Sequence, residues 1–146
     1  MATIAEVAAS IFDQGYNCSQ SVFTAFATQF GLDEKTALKL ASPFGGGVAR
    51  RGELCGAVAG ALMALGLVHG ADKPAGKEEI YRLSQEFMRR FEEKNGSILC
   101  RTLIDFDIST PAGHQAAVER GVFKTICPGL VRDAAGIVQA LLEPES

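Results

Sequence analysis

The sequence predicts an all-α protein, a compact single-domain bundle of about six to eight helices. Three observations predict it. Apolar residues recur at helical spacing in most segments, and no segment alternates with period two for long enough to make a convincing strand. A run near residues 53–68 is apolar nearly all round, as the central helix of a bundle is. The 146 residues suit one domain, 1–146, and 47% hydrophobic residues with nine Phe can offset the entropy of folding.

Taken in order, Ile4, Val7, Ala8, Ile11 and Phe12 stand at i, i+3, i+4, i+7 and i+8, which predicts a first helix stopped by Gly15. Asn17 is a good N-cap with Gln20 as its capping-box partner. Val22, Phe23, Phe26, Ala27 and Phe30 then share one face of a second helix, ended by Gly31. Asp33 caps a short third helix carrying Ala37, Leu38 and Leu40, terminated by Pro43 and the glycines Gly45, Gly46 and Gly47. The apolar central helix follows from about Glu53 to Val68. Gly70 to Gly76, with Pro74, reads as a surface loop. Beyond it Ile80, Leu83, Phe87, Met88 and Phe91 face inward on an otherwise charged outer helix, broken at Asn95-Gly96. Ser97 is placed to cap a short helix through Cys100 and Leu103, and Thr110-Pro111 caps another. Cys127-Pro128 opens the last, on which Val131, Ala134, Ala135, Val138, Leu141 and Leu142 repeat at helical spacing.

Charge excludes one class of partner. The 14 Lys and Arg and 17 Asp and Glu are interspersed, the net charge is −3, and no run of either sign makes a nucleic-acid surface. Met1 to Ile11 carries no basic leader, and Leu54 to Val68, at 15 residues, falls short of the roughly 20 that span a bilayer. A cytoplasmic protein without a transmembrane segment is expected. In that compartment four cysteines stay reduced, and a domain this apolar has no need of disulfide staples.

Cys18, Cys55, Cys100 and Cys127 share a position: each falls in the first turn of a predicted helix. The first turn carries free N–H groups and the positive end of the helix dipole, both of which stabilise a thiolate. Arg101 beside Cys100, and Arg50 and Arg51 just before Cys55, add positive charge. At least two ionised thiols near neutral pH are expected. The intervals of 37, 45 and 27 residues contain no C-x-x-C pair, which excludes ribbon-type zinc knuckles, thioredoxin-like motifs and attached haem. If the thiols meet, four helices bring them together, as a Cys-ligated metal or iron–sulfur centre or as a pair of dithiols. Against this stands the plain reading of isolated cysteines as small buried hydrophobes.

The chain at this point resembles the bacterial and archaeal family of redox-active proteins named for its cysteine pattern, C-GCAxxG-C-C. The resemblance rests on Asn17-Cys18-Ser19-Gln20, on Cys55-Gly56-Ala57-Val58-Ala59-Gly60, on Cys100, and on Cys127-Pro128 leading into Leu130-Val131-Arg132. The family's name writes Gly before Cys, whereas this chain reads Cys55-Gly56. The resemblance implies a small helical protein with a proposed redox role resting on these cysteines. The architecture is also similar to split-Soret cytochromes c, but the chain lacks the Cys-x-x-Cys-His that attaches their haem.

Other residues carry secondary expectations. Gly45-Gly46-Gly47 with Arg50 and Arg51 could wrap an anion in backbone N–H groups and guanidinium forks, or act as a hinge for Cys55. Gly56 and Gly60 allow close approach of a neighbouring helix or of a flat cofactor. His69 and His114 are candidates to complete a metal shell, and Asp105, Asp107 and Glu53 could act as acids or bases or be solvated. No hydrolase motif stands out. The leading expectation is an electron carrier or oxidoreductase whose four cysteines bind an iron–sulfur cluster or another thiophilic metal, zinc included. Its rivals are a metal-free thiol–disulfide oxidoreductase and a structural or adaptor protein. The redox partner is unknown, and a homodimer is plausible.

Overall fold

The computed structural model describes residues 2–143. Among these the regular structure is helical: α1 (Ile4–Asp13), α2 (Cys18–Ala27), α3 (Glu34–Ala41), α4 (Gly56–His69), α5 (Lys77–Asn95), α6 (Cys100–Ile104), α7 (Pro111–Glu119), α8 (Val122–Thr125) and α9 (Cys127–Leu142). Only Ile126 separates α8 from α9. The sole extended pairing among the described residues is one isolated antiparallel bridge, Leu54 with Leu99.

Local chemistry sets most of the boundaries. Thr3 and Glu6 close a capping box on α1, and Asn17 and Gln20 do the same on α2. The α2 box also ties neighbouring elements together. Gln20 Nε2 donates to the Leu38 carbonyl and Asn17 Nδ2 to that of Ser42, both at 3.0 Å, fixing the start of α2 against α3 and its exit. Asp33 Oδ2 accepts from the Thr36 N–H at the start of α3, and Thr110 Oγ1 from the Gly113 N–H at the start of α7. Gly31 and Gly96 take left-handed conformations after α2's final turn and α5.

Two expected starts move. The central helix begins at Gly56 instead of about 53, and α6 at Cys100 instead of after Ser97. The residues just before each are occupied by the Leu54–Leu99 bridge, and Ser97 Oγ accepts from the Leu99 N–H ahead of the helix.

The core forms where apolar faces meet. α4 is buried over Gly56–Ala61 and again at Ala64 and Leu65, and packs on α2, α5 and α9. Its contact with α2 is close because Gly60 has no side chain: a Cβ there would lie 2.6 Å from the Ser19 carbonyl oxygen. Val22, Phe23 and Phe26 on α2, Phe87 and Phe91 on α5, and Leu130, Val131, Ala134 and Val138 on α9 complete this cluster. Each large side chain removed from water contributes about 1.5–3 kcal/mol. A second, smaller cluster contains Cys100, Ile104, Ile108, Ala117, Val122 and Cys127. Joined through Ile126, Val122–Leu142 is long and apolar enough to cross a membrane. In this fold six of its α9 residues, from Cys127 to Val138, are buried in the two clusters.

Candidate functional site

The four cysteines stand where the helices begin. Cys18, Cys100 and Cys127 are the first residues of α2, α6 and α9, and Cys55 is the N-cap of α4. All four line one cavity of about 550 Å³. Cys55 is packed in the larger hydrophobic cluster, Cys100 and Cys127 in the smaller one, and Cys18 against both. The cavity is therefore the seam between the two cores. All four thiols are free; Cys55, Cys100 and Cys127 are buried and Cys18 is half-buried.

Backbone bonds and missing side chains hold them there. The Cys55 N–H donates to the Ile98 carbonyl at 2.8 Å and the Cys100 N–H to the Glu53 carbonyl at 2.7 Å, so the bridge sets the starts of α4 and α6 side by side. The Asn17–Gln20 box fixes Cys18, and Pro128 in the first turn of α9 removes one of the N–H groups that the start of that helix would otherwise have to satisfy. Gly47 and Gly56 make room. A Cβ on Gly47 would lie 2.7 Å from that of Cys100, and one on Gly56 3.2 Å from that of Cys18.

Electrostatics correct one expectation. Burial pushes the Cys55 thiol from the ordinary 9.0 up to about 11, although the N–H groups of Val58 and Ala57 pull the other way. Burial, with the neighbouring Cys55 and Cys127, pushes Cys100 up to about 12. Cys18 is also raised, first because its proton is shared with Cys127 and then by burial. Cys127 alone is lowered, by the hydrogen bond from Cys18. Helix N-termini do favour the thiolate, but withdrawal from water and the proximity of other thiols outweigh them for three of the four. Three of the four thiols are thus shifted toward the protonated form, against the expectation of at least two ionised thiols near neutral pH.

The rest of the lining includes the apolar Phe12, Ile104, Ile108 and Leu130, together with Arg50 and His114. Arg50 arrives there on an unusual piece of backbone. Gly46, Gly47, Val48, Ala49 and Arg50 all have φ between 49° and 70°, a left-handed turn with three non-glycine residues, one of them β-branched. The three consecutive glycines signal a left-handed start, but nothing in the sequence marks Val48 to Arg50 as continuing it. The N–H groups of Ala49, Arg50, Gly52 and Glu53 donate to the carbonyls of Pro43, Gly45, Gly46 and Gly47, so these four are spent within the loop and not on an anion.

The other candidates divide. Gly56 lines the thiol cavity, whereas Gly60 packs on α2. Arg51 pairs with Glu53 at 3.5 Å and lines a second cavity, of about 760 Å³, that shares Ala49, Arg50, Ile108 and His114 with the first. His114 lies beside Phe123, with ring centres 5.7 Å apart and the planes tilted by 36°; His69, at the end of α4, lies instead near Glu79. Asp107 accepts from Ser109, which holds its carboxyl below the usual range. Among the described residues no three His, Cys, Asp or Glu are grouped tightly enough to hold a metal ion.

The model of the family described as "Putative redox-active protein (C_GCAxxG_C_C)" matches residues 16–141, which include all four cysteines. No curated protein and no solved structure matches the chain.

Proposed function

We propose, for a chain that belongs to the C_GCAxxG_C_C family of redox-active proteins, that its four thiols hold an iron–sulfur cluster or another thiophilic metal for electron transfer. The observation that carries the reading is the meeting of four cysteines, from four separate helix starts, on one cavity. Thiolates are the ligands soft metals and iron–sulfur clusters take. The lining thiols are the donor set such a group takes, although among the described residues no three His, Cys, Asp or Glu stand close enough together to hold a metal ion as they are. When bound, an iron–sulfur cluster or a redox-active metal would supply a one-electron couple, and its positive charge would ionise buried thiols.

What the chain's own residues do follows from their places. Cys55, Cys100 and Cys18 hold their protons in a metal-free cavity and release them when a cation replaces them. The helix N-termini and the N–H groups of Val58 and Ala57 stabilise the negative charge left on sulfur. Phe12, Ile104, Ile108 and Leu130 limit water at the site. Anaerobic purification followed by iron, sulfide and zinc analysis and visible absorption tests the reading. A chromophore with stoichiometric metal supports it; no metal, no chromophore and no reducible disulfide overturns it.

A second reading, metal-free dithiol chemistry, is favoured by the Cys18–Cys127 pair, which lines one cavity and packs on the same small cluster, with Cys18 raised and Cys127 lowered by the hydrogen bond between them. The Cys127 thiolate would attack a substrate disulfide and expel one thiol. Cys18 would then attack the mixed disulfide, expelling the second thiol and leaving a Cys18–Cys127 disulfide, with two electrons passed to the substrate. Mild oxidation followed by peptide mass spectrometry separates the readings: a Cys18–Cys127 cross-link in place of bound metal favours the second.

A further inference from the structure

We infer that the second cavity binds a small organic anion, bearing phosphate or carboxylate groups, and presents it to the thiol cavity. Three arginines, Arg50, Arg51 and Arg101, line this cavity of about 760 Å³, against one acidic residue, Glu53, already paired with Arg51. Among the described residues neither Arg50 nor Arg101 has a carboxylate within ion-pair distance, although the Asp107 charge lies near enough to Arg101 to feel it. A local excess of arginine on a chain of net charge −3 stands out from its background. Arginine is also the side chain whose fork fits phosphate and carboxylate.

Two features point to a small molecule that reaches the sulfurs. The cavity is concave and within the range of small-ligand sites, about 300–1,000 Å³. Arg50 and His114 belong to its wall and to that of the thiol cavity, so an anion held by Arg50 abuts the space the cysteines line. The backbone that places Arg50 on this shared wall is the left-handed stretch from Gly46. Three non-glycine residues in that region are costly, and such strain persists where the surrounding structure holds a side chain in a needed place. The inference concerns what binds beside the thiols and stands whether they hold metal or form disulfides.

Calorimetric titration of the full chain with inorganic pyrophosphate and, separately, with citrate tests it. One-site binding of pyrophosphate assigns a phosphate-bearing ligand, of citrate alone a carboxylate-bearing one, and of both an anion site without that preference; each supports the inference. Arg50→Asn, chosen because Asn tolerates the left-handed region, and Arg101→Gln should each weaken binding about tenfold, and added salt should weaken it further. Arg82→Gln, on the exposed face of α5 and paired with Glu79, should leave it unchanged. Circular dichroism checks each variant's fold, and Arg101→Gln carries the test if Arg50→Asn misfolds. No binding of either anion at millimolar concentration, or binding that folded arginine variants leave unchanged, overturns the inference. Metal content and thiol state, measured on the same samples, report separately on the redox reading.

Discussion

A Cβ on Gly47 would lie 2.7 Å from the Cβ of Cys100, so the cysteine at the start of α6 occupies space that only a glycine leaves free. Gly47 also has φ +70°. Gly121 has the same φ and no atom within 4 Å of where its Cβ would be. Replacing Gly121 with Ala therefore costs only the left-handed conformation, about 1 kcal/mol. Gly47→Ala adds clashes with the backbone of Glu53 and Gly52, at 2.6 and 2.7 Å, as well as with Cys100, and should cost about 2–4 kcal/mol in all. Urea unfolding of the two variants checks the difference. The metal or oxidisable-thiol content of the cavity should fall in Gly47→Ala alone.

Alkaline pH should loosen the metal-free protein through the same cavity. Cys55 and Cys100 are raised to about 11 and about 12 from 9.0, so the folded state holds these protons more tightly than the unfolded chain does. The stability this contributes is complete below about pH 9 and is lost as pH rises toward 11 to 12, on the order of 2 kcal/mol or more per thiol. Urea midpoints of reduced, chelator-treated protein at pH 8 and pH 10.5 measure the loss. Cys55→Ala should show a smaller one; an identical loss in that variant would count against the assignment.

Two buried hydroxyls on α2 offer a test of the core beside the site. Ser19 Oγ and Thr24 Oγ1 are buried without a hydrogen-bond partner. Thr24→Val keeps the shape and removes the unsatisfied group, so it should be neutral or stabilising by up to about 2 kcal/mol. Thermal unfolding reads this directly, and a loss above about 1 kcal/mol would mean that the hydroxyl has a partner in solution.

Much of the fold was legible because helices announce themselves locally. The Asn17–Gln20 box, the Asp33 and Thr110 caps and the apolar run of α4 depend on residues a few positions apart; the box and the two caps stand where capping rules put them, and α4 lies within its apolar run although it starts at Gly56. That each cysteine opens a helix is local in the same sense. What was not legible is non-local or strained. The Leu54–Leu99 bridge joins segments 45 residues apart and has no alternating pattern to betray it. The left-handed course through Val48, Ala49 and Arg50 runs against the preference of all three residues. The thiol acidities are not legible for a related reason: the helix dipole can be read from position, whereas desolvation and the mutual influence of the thiols exist only once the chain has folded.

The last prediction isolates the acidity of Cys127. Its thiol is lowered by the hydrogen bond from Cys18 and opposed by its own burial, so removing the donor leaves burial unopposed. In Cys18→Ala the Cys127 pKa should rise, and since only the thiolate reacts, its alkylation by iodoacetamide at pH 8 should slow by about threefold or more. Cys127→Ala should act in the opposite sense on Cys18, whose raised pKa owes most to the proton it shares with Cys127. That thiol should become more reactive, limited by the burial that remains. Peptide mass spectrometry of reduced, metal-free protein after timed alkylation follows each cysteine separately. If Cys127 reacts equally fast with and without Cys18, the two sulfurs do not share a proton. The dithiol reading would then lose the observation that favours it, while the four-thiol cavity and its metal reading would be untouched.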